Sequence, residues 1–368
     1  MGLFLFKKKS DIRRGSLSCC AQKSNRMPSR PVFLLAFFLS TLGHILAQDP
    51  LFSQFYASPL QLNPAMAGVA QAPRISLNYR NQWPSWPNAY STYALGFEQA
   101  LNGLNSGFGV SVLADDAGNG IYRTLTLHAV YSYSVQLGDD FYAKFGMEGG
   151  VLQTRVDWDR LVFGDQLNPY TGATLPGGGV APSEENRPSG LQRLAPDLGT
   201  GLVLHNSRGY VGVALRHLNR PDENFLESRD NLRVGRPMRL SVHAGWDIGF
   251  AKGDHLRYPA VISPNIQIVR QAGFMQVNAG AYLGYNLLFG GLWYRHSGGN
   301  PDAAIALIGV RQGVLRFGYS YDATLSALGL ARTGGAHEVS LGINFAEGQL
   351  ARRRKKSAQL NNCFNMFR

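Results

Sequence analysis

The most constraining feature of this sequence is an alternation of period two in which both faces carry consistent chemistry. In Thr124–Val135, Leu125, Leu127, Ala129, Tyr131, Tyr133 and Val135 fall on one side. Thr124, Thr126, His128, Ser132 and Ser134 fall on the other, with Val130 the one apolar residue among them. Successive side chains of a strand point to opposite faces, so this segment is a strand with one apolar and one polar face. Leu315, Phe317, Tyr319 and Tyr321 alternate in the same way with Arg316, Gly318, Ser320 and Asp322. Leu240 to Ile248 alternate with Arg239 to Asp247, and Val339 to Phe345 with Glu338 to Asn344. Such segments predict fourteen strands, near 74–82, 89–100, 106–115, 122–137, 140–157, 197–206, 209–219, 237–251, 257–270, 274–286, 287–297, 302–312, 314–325 and 335–347. Each is about nine residues or longer, the length a tilted strand needs to cross a bilayer.

The polar face decides the class. Arg, Asp, Glu, His and Asn recur on it, and burying them unpaired in a dry core would cost several kcal/mol per group. A membrane barrel turns its apolar face to lipid and its polar face to the lumen, and bacterial barrels have even strand numbers. A propeller would show a repeat of fixed period, and none is present. The expected fold is therefore all-β, a single transmembrane antiparallel β-barrel of about fourteen strands. Turn lengths agree. With a periplasmic start, the short connections Leu101–Asn105, Gly138–Asp139, Ser207–Arg208, a bend near Asn286, and Gly313 share the periplasmic side. Asp116–Ile121, Asp159–Pro196, Asn219–Arg236 and Ala327–Gly334 share the outside. Lys252–Leu256 and the short Gln271–Gly273 fit this register poorly. Trp83, Trp86, Tyr142, Trp158, Tyr210, Trp246, Tyr258, Trp293 and Tyr294 lie near strand ends, as an interfacial aromatic belt would.

The chain has 368 residues and a net charge of +12, which invites a nucleic-acid reading. The charge is confined to the ends. Residues 1–47 hold eight Lys/Arg and one acid, and residues 351–368 hold six Lys/Arg and none. The body between them is close to neutral, which argues against a nucleic-acid-binding face. Residues 1–47 read as a signal peptide, because Arg26 and Arg30 precede the apolar run Pro31–Leu46 and a small residue, Ala47, closes it. Met27 is the more natural start, which would make 1–26 an upstream extension. Residues 48–350 contain no Cys, excluding a disulfide scaffold and a cysteine nucleophile there. No His series has metal-ligand spacing and no nucleotide or hydrolase fingerprint appears, so no cofactor, metal or catalysis is expected.

Four groups of residues are candidates for function. Arg80, Arg316, Asp322 and Glu338 point inward, and barrel closure would bring the first and last strands together, giving a lumen salt-bridge network. Residues 48–73 are too Pro-rich for a strand, and Phe52, Gln54, Asn63 and Pro64 belong to an arm expected to pack in or beneath the barrel as a plug facing the periplasm. Asp115 and Asp116 close a strand at an outside loop, where a solvated turn is favoured over a Ca²⁺ site for want of further ligands. Arg352, Arg353, Arg354, Lys355 and Lys356 make a basic tail within 348–368, suited to acidic periplasmic partners or lipid head groups. The barrel itself would span 74–347.

Gln48–Val69, QDPLFSQFYASPLQLNPAMAGV, and Arg80-Asn81-Gln82-Trp83 resemble the opening of the PorP/SprF family, outer-membrane proteins of the type IX secretion and gliding machinery of Bacteroidota. Gly107–Gly118, Pro196–Gly201, Tyr210–Leu218, Leu292–Arg295, Phe317–Ser326 and Gly335–Phe345 continue the likeness. Ser58 stands where the family usually has Asn, and Asn362 and Phe364 flank Cys363 where it often has an Arg-Cys-Pro ending. The resemblance implies a barrel without enzymatic activity, seated in outer-membrane lipid. It implies work with periplasmic type IX components, a peptidoglycan-linked protein among them, and export and anchoring of a surface adhesin through its C-terminal domain. An outer-membrane channel or hydrophobic-solute transporter is the alternative.

Overall fold

The computed structural model describes residues 48–70, 72–87, 89–168, 181–225, 235–251 and 260–345. The expected signal segment, residues 1–47, and the basic tail Arg352–Lys356 lie outside the described residues. Fifteen strands run in chain order: β1 Arg74–Gln82, β2 Tyr90–Leu101, β3 Ser106–Ala117, β4 Tyr122–Gly138, β5 Phe141–Val156, β6 Gln192–His205, β7 Gly209–Arg216, β8 Arg239–Trp246, β9 Ile248–Ala251, β10 Ala260–Gln271, β11 Phe274–Tyr285, β12 Leu288–Ser297, β13 Asn300–Gln312, β14 Leu315–Thr324 and β15 Ala336–Asn344. Every neighbour pairs antiparallel, and β1 pairs with β15, so the sheet closes on itself. β8 and β9 are one stave interrupted at Asp247, and both pair with β10. The molecule is thus a closed barrel of fourteen staves, as the alternation predicted. No helix among the described residues is long and apolar enough to cross a membrane.

Side chains point as the polarity argument required. On β4, Leu125, Leu127, Tyr131 and Tyr133 are exposed on the outer wall, while Thr124, Thr126, His128 and Ser132 are buried within. Met147 and Leu292, at 70% and 71% exposure, show how apolar that wall is. The inside is not uniformly polar. β13 turns Ile305 and Leu307 inward, and they cluster with Tyr282, Phe289 and Trp293. Tyr142, Tyr210 and Trp293 therefore belong to the lumen and not to an interfacial belt, since each is under 10% exposed. Trp86, Trp246 and Tyr294 do lie on exposed surface, and Tyr258 is outside the described residues.

The short connections cluster at one mouth and the long ones at the other. Connections 139–140, 206–208, 286–287 and 313–314 frame the short-turn mouth, and 157–191, 217–238 and 325–335 the long-loop mouth. β10 and β11 are joined at the long-loop mouth by Ala272-Gly273, both at positive φ, the primed hairpin geometry that matches strand twist. That tight turn is real, and the register through 237–286 holds despite it.

Candidate functional site: a threaded lumen

The arm preceding β1 runs inside the barrel. It consists of short helical turns, Phe55–Ala57, Pro59–Leu62 and Pro64–Met66, broken by residues that cannot continue a ladder. Pro59 and Pro64 stand at first helical positions, where a missing N–H costs nothing. Asn63 caps the third turn by accepting from the Ala65 N–H at 2.9 Å. Phe52, Gln54, Asn63 and Pro64 are all buried.

Its path can be traced from its contacts. Asp49 meets His217, Arg236, Arg239 and Gln271, all at or beside the long-loop mouth. Ser53 and Gln54 bond to β15, and Asn63 bonds to β6 and β7 at mid-height. The Ala67 carbonyl accepts from Ser132 and Lys144 near the short-turn mouth, at 2.8 and 2.9 Å. The arm therefore threads the lumen from the long-loop mouth to the short-turn mouth, where β1 begins. Its first residues are held at the long-loop mouth because the partners of Asp49, namely His217, Arg236, Arg239 and Gln271, lie at the strand ends there. Glycines on the wall make the passage: a Cβ at Gly146 would collide with the Ala65 backbone, and one at Gly107 with Ala67. Beside the arm, the gap bordered by Leu62, Arg239 and Gln267 measures about 20 Å³, room for a single water.

Three buried ionic clusters hold the arm. In the first, Arg80 lies 2.8 Å from Asp322 and 3.2 Å from Glu338. Glu338 accepts the backbone N–H groups of Ser53 and Gln54 at 2.8 and 2.9 Å. The Ser53 hydroxyl donates to Asp322 at 2.6 Å, and Arg295 reaches the same carboxylate at 2.9 Å. Gln54 completes its side-chain bonds with Ser320, Ser340 and the Glu338 carbonyl. Arg80, Asp322 and Glu338 are thus in contact, and Arg316 is not with them. Arg316 donates to the Tyr282 hydroxyl at 2.6 Å and lies 4.7 Å from the Phe289 ring centroid. The reason is distance along the strand. Arg316 precedes Asp322 by six residues, about 20 Å at 3.3 Å per residue, so the two occupy opposite levels of the lumen.

The second cluster centres on Asp49, which takes His217 at 2.7 Å and Arg236 and Arg239 at 3.0 Å each. His217 in turn reaches Asp197 at 2.9 Å, and Asp197 reaches His128 at 3.0 Å. Burial pulls the His217 pKa down, but the Asp49 and Asp197 carboxylates outweigh it and hold the imidazole at about 9. His217 also has φ of 56°, a left-handed conformation that an L-residue keeps only when its surroundings enforce it. In the third cluster, Arg216 pairs with Glu148 at 2.9 Å and donates to the Leu60 carbonyl and Gln61 side chain.

Asp115 and Asp116 do not form a pair. Adjacent on β3, they face opposite sides: Asp115 accepts from Thr92 at 2.6 Å at the lumen mouth, and Asp116 meets Arg123 at 3.1 Å. Among the described residues no group of three or more His, Cys, Asp or Glu could hold a metal ion. Above the arm, the long-loop mouth opens into a vestibule of about 980 Å³. Gln48–Leu51 contribute to its lining, as do Trp83, Trp86, Tyr90 and Arg332.

Sequence reading missed Asp49, Asp197, His217, Arg236 and Arg295. Arg295 alternates with exposed Tyr294, so its inward aim was legible. The others meet charged partners 13 to 190 positions away, and only the folded barrel with its arm inside brings them together.

The barrel is similar in structure to a mutant TodX monoaromatic hydrocarbon channel, at 11% identity over 78% of this chain and 94% of that chain, with TM-score 0.44. It is similar to the Pseudomonas putida toluene transporter TodX, at 9% identity over 81% and 97%, TM-score 0.43. A Pseudomonas aeruginosa FadL homologue matches at 14% identity over 77% and 93%, TM-score 0.39. No curated protein matches the chain. The family model described as type IX secretion system membrane protein PorP/SprF matches residues 45–343, from ahead of the arm into the last strand. With the quoted motifs, the closed barrel and this match in agreement, the chain belongs to the PorP/SprF family of type IX secretion system membrane proteins.

Proposed function

We propose that this outer-membrane barrel helps to export a partner surface protein and to anchor it at the cell surface through that partner's C-terminal domain. The observation that carries this reading is a lumen occupied end to end by the chain's own arm and pinned by buried ion pairs. Such a barrel is built to hold rather than to conduct. The family and fold are those of a secretion component and membrane barrel, not of an enzyme. The vestibule and the connections 157–191, 217–238 and 325–335 offer the partner its surface at the long-loop mouth. Type IX components in the periplasm, a peptidoglycan-linked protein among them, would meet the short-turn mouth and the tail Arg352–Lys356. The tail could also lie on anionic lipid, where each basic residue is worth about 1 kcal/mol.

Planar-bilayer recording and co-purification test this together. The purified barrel is expected to show little steady conductance and to bring down a large surface protein that is lost when the C-terminal domain of that protein is removed. A large, steady, partner-independent conductance would favour the alternative, a channel or hydrophobic-solute transporter. Failure to sediment with outer membranes would overturn both.

A further inference from the structure

The barrel wall carries a recess on its lipid side. The β8–β9 stave is interrupted at Asp247, whose N–H donates to the Arg208 carbonyl at 2.6 Å on the β7 side and whose carboxylate accepts from the Ser263 hydroxyl of β10. Opposite the break, β10 carries Pro264, which has no N–H to give. Pairing along β10 passes from β9 at Ile262 to β8 at Asn265 in one register, and between them Ser263 donates its hydroxyl to Asp247 while its carbonyl accepts from the Asn265 side chain. At this break lies a notch of about 690 Å³, within the roughly 300–1,000 Å³ of ligand pockets. Its lining is almost wholly apolar, and includes Val211, Ala244, Trp246, Pro264, Ile266 and Ala279. Val211, Trp246 and Ile266 are exposed on the outer wall, so the notch opens onto the surface that meets hydrocarbon. Small residues deepen it: no side chain at Gly209 or Gly245 could coexist with the rings of Trp246 and Tyr210.

Its height fixes which leaflet it meets. Gly209 and Tyr210 follow the tight 206–208 connection, so the notch lies toward the short-turn mouth, the periplasmic one by turn length. Arg208, exposed in that connection, has no ion pair among the described residues and lies in the chain between Asn206 and Gly209, both of which line the notch. An apolar slot with a cation at its periplasmic edge matches an acyl chain beneath a phosphate.

We propose that the notch is a lipid site, holding one acyl chain of an inner-leaflet phospholipid with its phosphate at Arg208. The site is independent of which protein the barrel anchors. Occupancy would keep the recess packed with hydrocarbon, since an empty void costs its lining those dispersion contacts.

The test is native mass spectrometry of the full chain after detergent exchange. The wild-type barrel is expected to retain about one phospholipid. Ala244→Phe, which fills the notch from the lipid side, should lower retention at least fivefold, and Arg208→Ala severalfold. Ile308→Phe, on the outer wall of β13, should leave it unchanged. Heat-modifiable migration checks that each variant is folded. A second measurement uses wild-type protein in vesicles of phosphatidylethanolamine carrying a photoreactive acyl chain, with cross-links expected in 205–213, 241–248 and 262–268. No retained lipid, retention equal in Ala244→Phe, a free fatty acid in place of phospholipid, a second protein seated at the notch, or cross-links spread evenly round the wall would overturn the proposal.

Discussion

Glu338 accepts two backbone N–H groups of the arm and one guanidinium, all inside the barrel. Removing one partner of a buried pair typically costs about 3–5 kcal/mol, because a charge is left uncompensated. Glu338→Ala is therefore expected to lower the unfolding free energy by about that amount in a urea titration of the detergent-solubilised barrel. Glu338→Gln, which keeps an acceptor for the arm, should lose less. His217 gives a pH signature. Its pKa is about 6.5 unfolded and is raised to about 9 here, so its hold is complete below about 6.5 and is lost as pH climbs through 9. Protease access to the start of the arm should rise between pH 7 and 9.5, and His217→Ala should remove that dependence. A loss of grip on acidification from 7 to 5 instead would contradict the assignment, because His217 stays protonated there and the Asp49 carboxyl, which burial pushes up, is held well below its usual range by His217, Arg239 and Arg236. That Arg80 and Glu338 would meet was legible, since closure joins β1 to β15. That Arg316 would not was legible too, from strand rise alone, but inward parity was read without height.

At the scale of elements, the arm and the glycine strip on the wall are made for each other. Gly146 on β5 and Gly107 on β3 have no room for a Cβ, because arm backbone occupies the space. Gly146→Val should displace the arm without breaking the β4–β5–β6 ladder. The expected result is an intact heat-modifiable barrel whose residues 48–70 become protease-sensitive and whose bilayer conductance rises at least tenfold. An unchanged arm would mean that the wall yields instead. The strands themselves were readable from alternation because each needs only its own two faces. The arm was readable as something that cannot be a strand, from Pro59 and Pro64. Its direction was not readable, since that depends on Asp49 finding Arg236 and Arg239.

For the whole molecule, threading has a topological consequence. The residue at the head of the arm, Gln48, stands at the vestibule beneath the long loops. The short-turn rule assigns that mouth to the outside. With Cys363 replaced, a cysteine at Gln48 should therefore react with a membrane-impermeant maleimide added to intact cells, and one at Asp139, exposed in the short-turn connection 139–140, should not. The reverse pattern would invert the barrel. The same geometry requires that the barrel close around the arm, because the β1–β15 seam is sealed along all of β1.

The sequence by itself determined the class, the number of staves and the facing of nearly every strand residue, because a period-two pattern with lipid on one side is a local property of each segment. It also determined that the ends carry the charge and the body does not. Tertiary structure alone decided which charges meet, that part of the lumen is apolar, that the arm runs from the long-loop mouth to the short-turn mouth, and where the wall is recessed. Those depend on contacts between residues far apart in the chain, and only closing the sheet sets their heights and neighbours.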